Sequence, residues 1–281
     1  MKVVLFCGGQ GMRLKEYSDA IPKPMVNIGY RPILWNVMKY YAHYGHKDFI
    51  LCLGHKGDII KNYFLNYNEY LSNDFTLSNG GKDIQLTNKD IHDWKITFVD
   101  TGLTSNIGQR LKAVQKHLQS EEVFLANYSD GLTDLHLPSL LDFFNTQKKT
   151  ACFLSIRPNQ TYHIVSMGDD GKVKEIRGVD RSDVWVNGGF FVFKKGIFDY
   201  MKDGEELVDG PFQRLIDIGE LVSYRYEGFW VSMDTFKDKQ RLDDMHARGE
   251  TPWEVWKSGK GGNGVGLAEY APRTGQNLKQ S

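Results

Sequence analysis

The chain has 281 residues, of which 41% are hydrophobic and 25% are charged, a composition typical of a globular protein with a sizeable core. Its 35 Lys and Arg residues balance 35 Asp and Glu residues, and no basic stripe indicates nucleic-acid binding. Apolar runs such as residues 3–7 are far shorter than the roughly 20 residues of a membrane span, so we expect neither a membrane protein nor a signal peptide.

The first half of the chain alternates between strands and helices. An apolar run at residues 3–7 stops at Gly8-Gly9, and residues 32–44 then carry apolar side chains at helical spacing. The alternation continues with strands predicted at 49–53, 96–100 and 123–127 and helices predicted through 59–64 and 109–118. This order predicts a doubly wound, mostly parallel, Rossmann-like α/β sheet.

From about residue 150 the predicted strands become shorter and are separated by turns, at 151–156, 164–166, 173–176 and 188–193. We therefore expect a smaller, more antiparallel portion at 151–257 that completes a single domain over residues 1–257. The polar residues 258–281 form a tail that we expect to be mobile or ordered only by a partner. The polar, turn-rich residues 66–94 fit an exposed hairpin or an excursion used in assembly.

The three cysteines, Cys7, Cys52 and Cys152, all lie inside apolar runs, where free thiols behave as small hydrophobic side chains. An odd count without Cys-x-x-Cys spacing predicts a cytoplasmic protein without a zinc site.

The first predicted strand leads directly into Gly8-Gly9-Gln10-Gly11-Met12-Arg13, where α/β proteins place phosphate-binding turns. Leu14 stands where a dinucleotide fingerprint needs Gly or Ala, which argues against a Rossmann oxidoreductase, and a Walker loop would need Gly-Lys-Ser or Gly-Lys-Thr. Taken alone, the loop is equally compatible with a glycine-rich connection that carries an incidental arginine.

A second basic element follows at Pro22-Lys23-Pro24-Met25, in which the two prolines restrict the backbone around the lysine. A lone Pro-Lys-Pro is normally a surface turn. Here it lies between the glycine loop and the next helix, so Arg13 and Lys23 could converge on one anionic ligand.

These two motifs together resemble the signature of the sugar nucleotidyltransferases, and segments such as 187–191 and 233–235 resemble the cytidylyltransferase branch of that family. The resemblance covers residues 1–257, with the nucleotide half at about 1–150 and the acceptor half at about 151–257. It implies an Mg²⁺-dependent enzyme that transfers CMP from CTP to a phosphorylated small molecule and releases pyrophosphate. The CDP-linked product would serve surface polysaccharide or capsule biosynthesis.

The resemblance also implies roles for individual residues. Gly8, Gly9 and Gly11 would bind the triphosphate. Arg13 would contact the departing phosphates and Lys23 the reacting α-phosphate. Gly108 and Arg110 would recognise the base, and Asp130 and Asp234 would bind the metal. Paired carboxylates suit Mg²⁺, and cations suit a reaction whose obstacle is negative charge.

Each of these residues also has a plainer interpretation. Asp130 could be an ordinary Asp-Gly turn residue, Asp234 could cap the helix-compatible segment 235–242, and Arg110 could be a solvated helix residue.

The acceptor half departs from the family pattern. Tyr162-His163 stands where the family carries an aromatic residue followed by glycine, and no Glu-Lys-Pro follows Ile176, although Arg177 or Arg181 could replace that lysine. We expect Tyr162, His163, Arg177, Asn187 and Gly188 to bind the acceptor. A histidine in place of glycine should crowd a pyranose, which slightly favours a polyol phosphate or a phosphoramidate such as phosphoglutamine. The alternative is local sequence drift with an unchanged hexose phosphate.

Two other classes compete with an active enzyme: a non-catalytic nucleotide-sensing relative and the disfavoured oxidoreductase. The presence of Arg13, Lys23, Asp130 and Asp234 together favours the enzyme. We expect CTP and a phosphorylated small molecule as partners, no nucleic acid, and a homo-oligomer formed through residues 66–94 or the C-terminal segment.

Overall fold

The computed structural model describes residues 1–9, 21–158, 162–179 and 182–257. Sixteen strands lie in these ranges: β1 Lys2–Phe6, β2 Asn27–Ile28, β3 Arg31–Pro32, β4 Asp48–Leu53, β5 Phe75–Ser78, β6 Asp83–Leu86, β7 Lys95–Asp100, β8 Val123–Tyr128, β9 Gly131–Thr133, β10 Ala151–Ile156, β11 His163–Met167, β12 Val173–Gly178, β13 Val186–Asn187, β14 Phe191–Lys194, β15 Leu221–Tyr226 and β16 Trp230–Ser232.

The α-helices of the described residues are α1 Ile33–His43, α2 Gly57–Leu65, α3 Glu69–Ser72, α4 Ile107–Ala113, α5 Leu137–Gln147, α6 Gln213–Asp217 and α7 Phe236–Ala247. None of the described helices is long and apolar enough to cross a membrane. Helix α4 begins before the predicted residue 109, because Asn106 and Gln109 form a reciprocal capping box at its N-terminus.

The central sheet confirms the predicted α/β architecture. Its strand order is β15, β10, β14, β8, β1, β4 and β7. The short strand β13 also pairs with β10, beside β14. Strands β8, β1, β4 and β7 are parallel to one another, whereas β14 runs antiparallel to both β8 and β10. Strands from both halves of the chain therefore join one sheet.

Helices cover both faces of this sheet, and β1 shows why its sequence is continuously apolar. Val3 and Leu5 point into one core, with α1 and α5, while Val4 and Phe6 point into a second core, with α4 and residues 197–215. A parallel strand buried on both faces needs apolar side chains at every position.

The strand predicted at 188–193 is wrong in its bounds. The chain bends between β13 and β14 because Gly189 and Phe190 both adopt positive φ, of 75° and 48°. A Cβ on Gly189 would lie 2.4 Å from Asn127 Oδ1, so close packing as well as backbone conformation requires glycine there.

Besides the short β2–β3 pair, two antiparallel hairpins of the described residues lie apart from the central sheet. Strands β5 and β6 form an exposed hairpin in the 66–94 insertion, as predicted, and β11 and β12 form another in the acceptor half. Asp90 of the insertion accepts from Arg31 of the body at 2.7 Å, and it also accepts from the Tyr67 hydroxyl of the insertion itself at 2.8 Å. Its role in assembly stays a prediction.

The last described segment packs under the carboxyl edge of the sheet. Trp253 is 1% exposed and lies with Tyr40 and Phe190 beneath β9, the strand that follows Asp130. Its ring also lies 5.9 Å from that of Phe229, just before β16. Residues near the end of the domain thus support the β9–β16 pair.

We predict that Trp253→Ala lowers the free energy of unfolding by about 3–5 kcal/mol, since it removes a fully buried aromatic side chain. Trp185→Ala, at a partly exposed indole, is the matched control and should cost clearly less. Urea denaturation checks both variants, and equal losses would contradict this description of the core.

Candidate active site

A cavity of about 560 Å³ opens at the carboxyl edge of the central sheet. Its lining comes from Phe6 and six separate stretches of chain, at 8–9, 23–24, 105–110, 127–131, 187–188 and 230–234. Parallel strands β1 and β8 end side by side here, with Phe6 paired to Tyr128. This is the edge at which α/β sheets bind their ligands.

Lys23 projects into this cavity from a short 3₁₀ turn, Lys23–Met25. Pro22 precedes the turn in an extended conformation, and Pro24 and Met25 are buried against the body. The Met25 N–H donates to the Pro22 carbonyl at 2.8 Å and closes the turn. The motif that restricts the lysine backbone is thus also anchored in the core.

The Lys23 ammonium lies between two carboxylates. Its Nζ is 2.5 Å from Asp130 Oδ2 and 2.8 Å from Asp234 Oδ1, and the lysine side chain is 15% exposed. Burial alone would lower the pKa of Lys23, but the two aspartates outweigh burial and raise the pKa above its ordinary value. The lysine is therefore a fixed positive charge at neutral pH.

The pairing of two short strands joins the aspartates. Strand β9 follows Asp130, β16 precedes Asp234, and the two strands pair antiparallel with Ser232 opposite Gly131. The Met233 N–H then donates to the Asp130 carbonyl at 3.0 Å. The Ser232 hydroxyl donates to Asp234 Oδ2 at 2.7 Å and orients that carboxylate.

This geometry decides between the interpretations of the two aspartates. The residue that caps helix α7 is Thr235, whose side chain accepts from the Asp238 N–H, so the interpretation of Asp234 as the cap is wrong. Asp130 does lie in a turn, but it shares a cation with Asp234 there. Two carboxylates that converge on one cation could also hold a divalent metal.

The other end of the cavity is organised by Arg110, which is only 3% exposed. Its guanidinium donates to the carbonyls of Gly8 at 3.0 Å and Gly102 at 2.9 Å, and to the Thr101 hydroxyl at 2.7 Å. Burial lowers the pKa of Arg110, although an arginine still keeps its charge. The solvated interpretation is wrong, since Arg110 ties the first glycine turn to the loop after β7.

The three described glycines of the predicted nucleotide site differ in their surroundings. A Cβ on Gly8 would lie 2.0 Å from the Arg110 guanidinium, whereas no atom of the described residues lies within 4 Å of a Cβ on Gly9. Gly108 is absent from the lining of the cavity, and a Cβ there would lie 2.3 Å from the Glu205 carbonyl oxygen. Gly108 thus permits packing against the 205–207 segment.

The structure divides the predicted acceptor residues into two groups. Asn187 and Gly188 line the cavity, where the Trp230 indole donates to the Gly188 carbonyl at 2.9 Å. The other three residues are exposed and do not line the cavity. His163 and Arg177 lie on the β11–β12 hairpin, and Tyr162, which is 71% exposed, lies just before it. The expected crowding of the acceptor by His163 is therefore not seen, because the histidine faces solvent on a separate hairpin.

Sequence reasoning missed several residues of the cavity. Tyr128 lines the cavity beside Asn187. Burial is the main cause that raises the pKa of the Tyr128 hydroxyl to about 12, so this phenol is neutral. Trp230 and Ser232 were also missed, although their closeness in sequence to Asp234 was a usable signal. Gly11, Arg13 and Arg181 lie outside the described residues.

Comparison with known proteins shows the family. A family model described as nucleotidyl transferase matches residues 2–227, and this chain belongs to that family of enzymes. Glucose-1-phosphate cytidylyltransferase from Salmonella typhi is 37% identical over 259 residues, which cover 92% of this chain and all of the relative. A probable glucose-1-phosphate cytidylyltransferase from Bacillus subtilis (strain 168) is 38% identical over 91% of this chain and its own full length.

A solved structure supports the fold independently of these sequences. UDP-glucose pyrophosphorylase in complex with UDP-glucose matches with a TM-score of 0.63 over 88% of this chain and 98% of that chain. Because the identity is 13%, this similarity bears on the fold alone.

The surroundings of the glycines generate a prediction. Gly108→Ala should lower the free energy of unfolding by about 1–3 kcal/mol, because the new methyl group overlaps a backbone carbonyl. Gly9→Ala should change stability by less than about 0.5 kcal/mol, because its Cβ enters the cavity, and should instead weaken triphosphate binding. Urea denaturation and nucleotide titration measure the two effects, and a reversal of this pattern would contradict the assignment.

Proposed function

We propose that this protein is a CTP-dependent cytidylyltransferase that transfers CMP to a phosphorylated small molecule and releases pyrophosphate. The observation that carries the proposal is the convergence of Lys23, Asp130 and Asp234 in a cavity at the carboxyl edge of the sheet. The two cytidylyltransferases matched over their full lengths support the choice of CTP.

In this reaction an oxygen of the acceptor phosphate attacks the α-phosphorus of CTP. The bond from the α-phosphorus to the bridging oxygen of the β-phosphate breaks, and its electron pair leaves with pyrophosphate. The obstacle is the gathering of negative charge, so positioning and fixed cations supply most of the catalysis. Lys23 is the cation best placed among the described residues to stabilise charge at the reacting phosphate.

We further propose that Mg²⁺ is the cofactor and that Asp130 and Asp234 hold it. The donor set suits this ion, because Mg²⁺ prefers one or two carboxylates and completes its shell with water and substrate phosphate. When bound, the metal would neutralise phosphate charge. Gly8 and Gly9 bring backbone close to the cavity, where a triphosphate can approach.

The acceptor we propose first is a sugar 1-phosphate, since the two full-length relatives are glucose-1-phosphate cytidylyltransferases. The CDP-linked product would serve surface polysaccharide or capsule biosynthesis. A second candidate is a non-hexose acceptor, such as a polyol phosphate or phosphoglutamine. The absence of the Glu-Lys-Pro motif, and with it of the family's lysine, supports the non-hexose acceptor. Among the described residues that line the cavity, Lys23 and Arg110 are the only Lys or Arg side chains.

Substitution of the charged cluster tests the proposed chemistry. Asp130→Asn and Asp234→Asn should each lower kcat by roughly 10³-fold or more, and Lys23→Ala by roughly 10²-fold, because each removes charge stabilisation at the reacting phosphates. Asp93→Asn, in a half-exposed ion pair with Lys47, is the control and should keep full activity. Near-normal turnover of either cluster aspartate variant at saturating Mg²⁺ would rule out the metal role.

A substrate matrix tests specificity. Pyrophosphate release is measured with CTP, UTP, dTTP or ATP against glucose 1-phosphate, a polyol phosphate and phosphoglutamine. CTP should give the highest kcat/KM, and equal use of all four nucleotides would defeat that part of the proposal. With CTP, a kcat/KM of about 10⁴ M⁻¹s⁻¹ or more for glucose 1-phosphate selects the sugar acceptor over the second candidate. CTP binding without turnover of any acceptor would favour a nucleotide-sensing relative.

A further inference from the structure

Lys23 stands at the point on which both carboxylates of the proposed metal site converge. Its Nζ lies 2.5 Å from Asp130 Oδ2 and 2.8 Å from Asp234 Oδ1. Mg²⁺ binds carboxylate oxygens at about 2.0–2.1 Å. An ammonium and a metal ion that both contacted these two oxygens would lie within a few ångströms of each other and repel, so the two cations compete for the oxygens.

We infer that Lys23 competes with the divalent cation for Asp130 and Asp234, so that the metal enters productively only together with the triphosphate. This inference rests on the proposed function, since it assigns the metal to the same two carboxylates. It adds a second role for Lys23, as the residue that sets the order in which metal and nucleotide bind.

The charges of the cluster explain the competition. Two carboxylates and one ammonium have a net charge of −1, so the lysine already neutralises half of the attraction for a bare cation. A bare metal ion must also push the Lys23 ammonium away from its two carboxylate partners. The side chain that carries this ammonium is only 15% exposed. It costs free energy to move a poorly hydrated charge away from its partners. This cost weakens metal binding in the absence of nucleotide.

The triphosphate removes this cost. Its oxygens offer the displaced ammonium a new anionic partner, and they supply further ligands to the metal. Lys23 cannot move far, because Pro24 and Met25 of its turn are buried, so only the side-chain torsions of the lysine can change. Displacement by the metal thus leaves the ammonium close to the incoming phosphates.

Manganese binding to the whole protein tests the inference without relying on activity. Free Mn²⁺ is measured by electron paramagnetic resonance for the wild type, Lys23→Met and the control Lys39→Met, each with and without CTP, and the Mn²⁺ that CTP binds in protein-free solution is subtracted. Lys39 is a suitable control because its side chain is 20% exposed and forms an ion pair with Asp90 at 3.5 Å, and it is not among the described residues that line the cavity. Lys23→Gln serves if the methionine variant fails to fold.

Without CTP, Lys23→Met should bind Mn²⁺ about tenfold or more tightly than the wild type, while Lys39→Met should match the wild type. With CTP, the wild type should gain much more Mn²⁺ affinity than Lys23→Met does. Adding Asp130→Asn to Lys23→Met should abolish the gain, which assigns the bound metal to this site.

The outcomes separate the inference from the function on which it rests. Equal Mn²⁺ affinity of wild type and Lys23→Met, with CTP-dependent metal binding intact in the wild type, overturns the competition alone. No Mn²⁺ binding by any folded variant, with or without CTP, overturns the proposed metal site and the competition with it.

Discussion

The ion pairing of Lys23 with Asp130 and Asp234 is the interaction on which the rest of the site depends. Lys23 and Asp234 are 211 positions apart in the chain, and Asp130 lies between them. A different part of the fold positions each of the three: a turn framed by prolines holds Lys23, the turn after the central strand β8 holds Asp130, and the short strand β16, which pairs with β9, ends just before Asp234. These three side chains supply two carboxylates and one cation to the lining of the cavity.

The cavity holds a second and more deeply buried cation, Arg110, whose surroundings differ in kind from those of Lys23. Arg110 donates to carbonyl and hydroxyl oxygens of the protein, which are neutral and belong to loops that it ties together. Lys23 faces two carboxylates, which can exchange one cation for another. The Arg110 end of the cavity therefore keeps a fixed shape, whereas at the Lys23 end the local charge can change when one cation replaces another.

Much of the fold could be predicted from the sequence because its signals are local. A strand buried on both faces must be apolar throughout, as β1 is, and glycines after that strand mark a ligand-binding turn. The bend at Gly189 and Phe190 could not be predicted, because it depends on contact with Asn127 from another strand. Non-local packing also explains Gly108, whose neighbours lie almost a hundred residues later in the chain.

The site was predictable in its residue types and less so in its arrangement. Asp130 and Lys23 stand out in their motifs, but their partnership with Asp234 exists only because β9 and β16 pair. The acceptor residues show the opposite case. His163 and Arg177 fall at motif positions of the family, yet the chain folds them into an exposed hairpin while Asn187 and Gly188 line the cavity.

A crystal structure of the protein with Mn²⁺ and a non-hydrolysable CTP analogue tests the central claim most directly, because manganese is located by its anomalous scattering. We expect a manganese peak between Asp130 and Asp234, with the Lys23 ammonium moved onto a phosphate oxygen. A nucleotide bound elsewhere, or a metal bound away from both carboxylates while Lys23 keeps its two ion pairs, would contradict it.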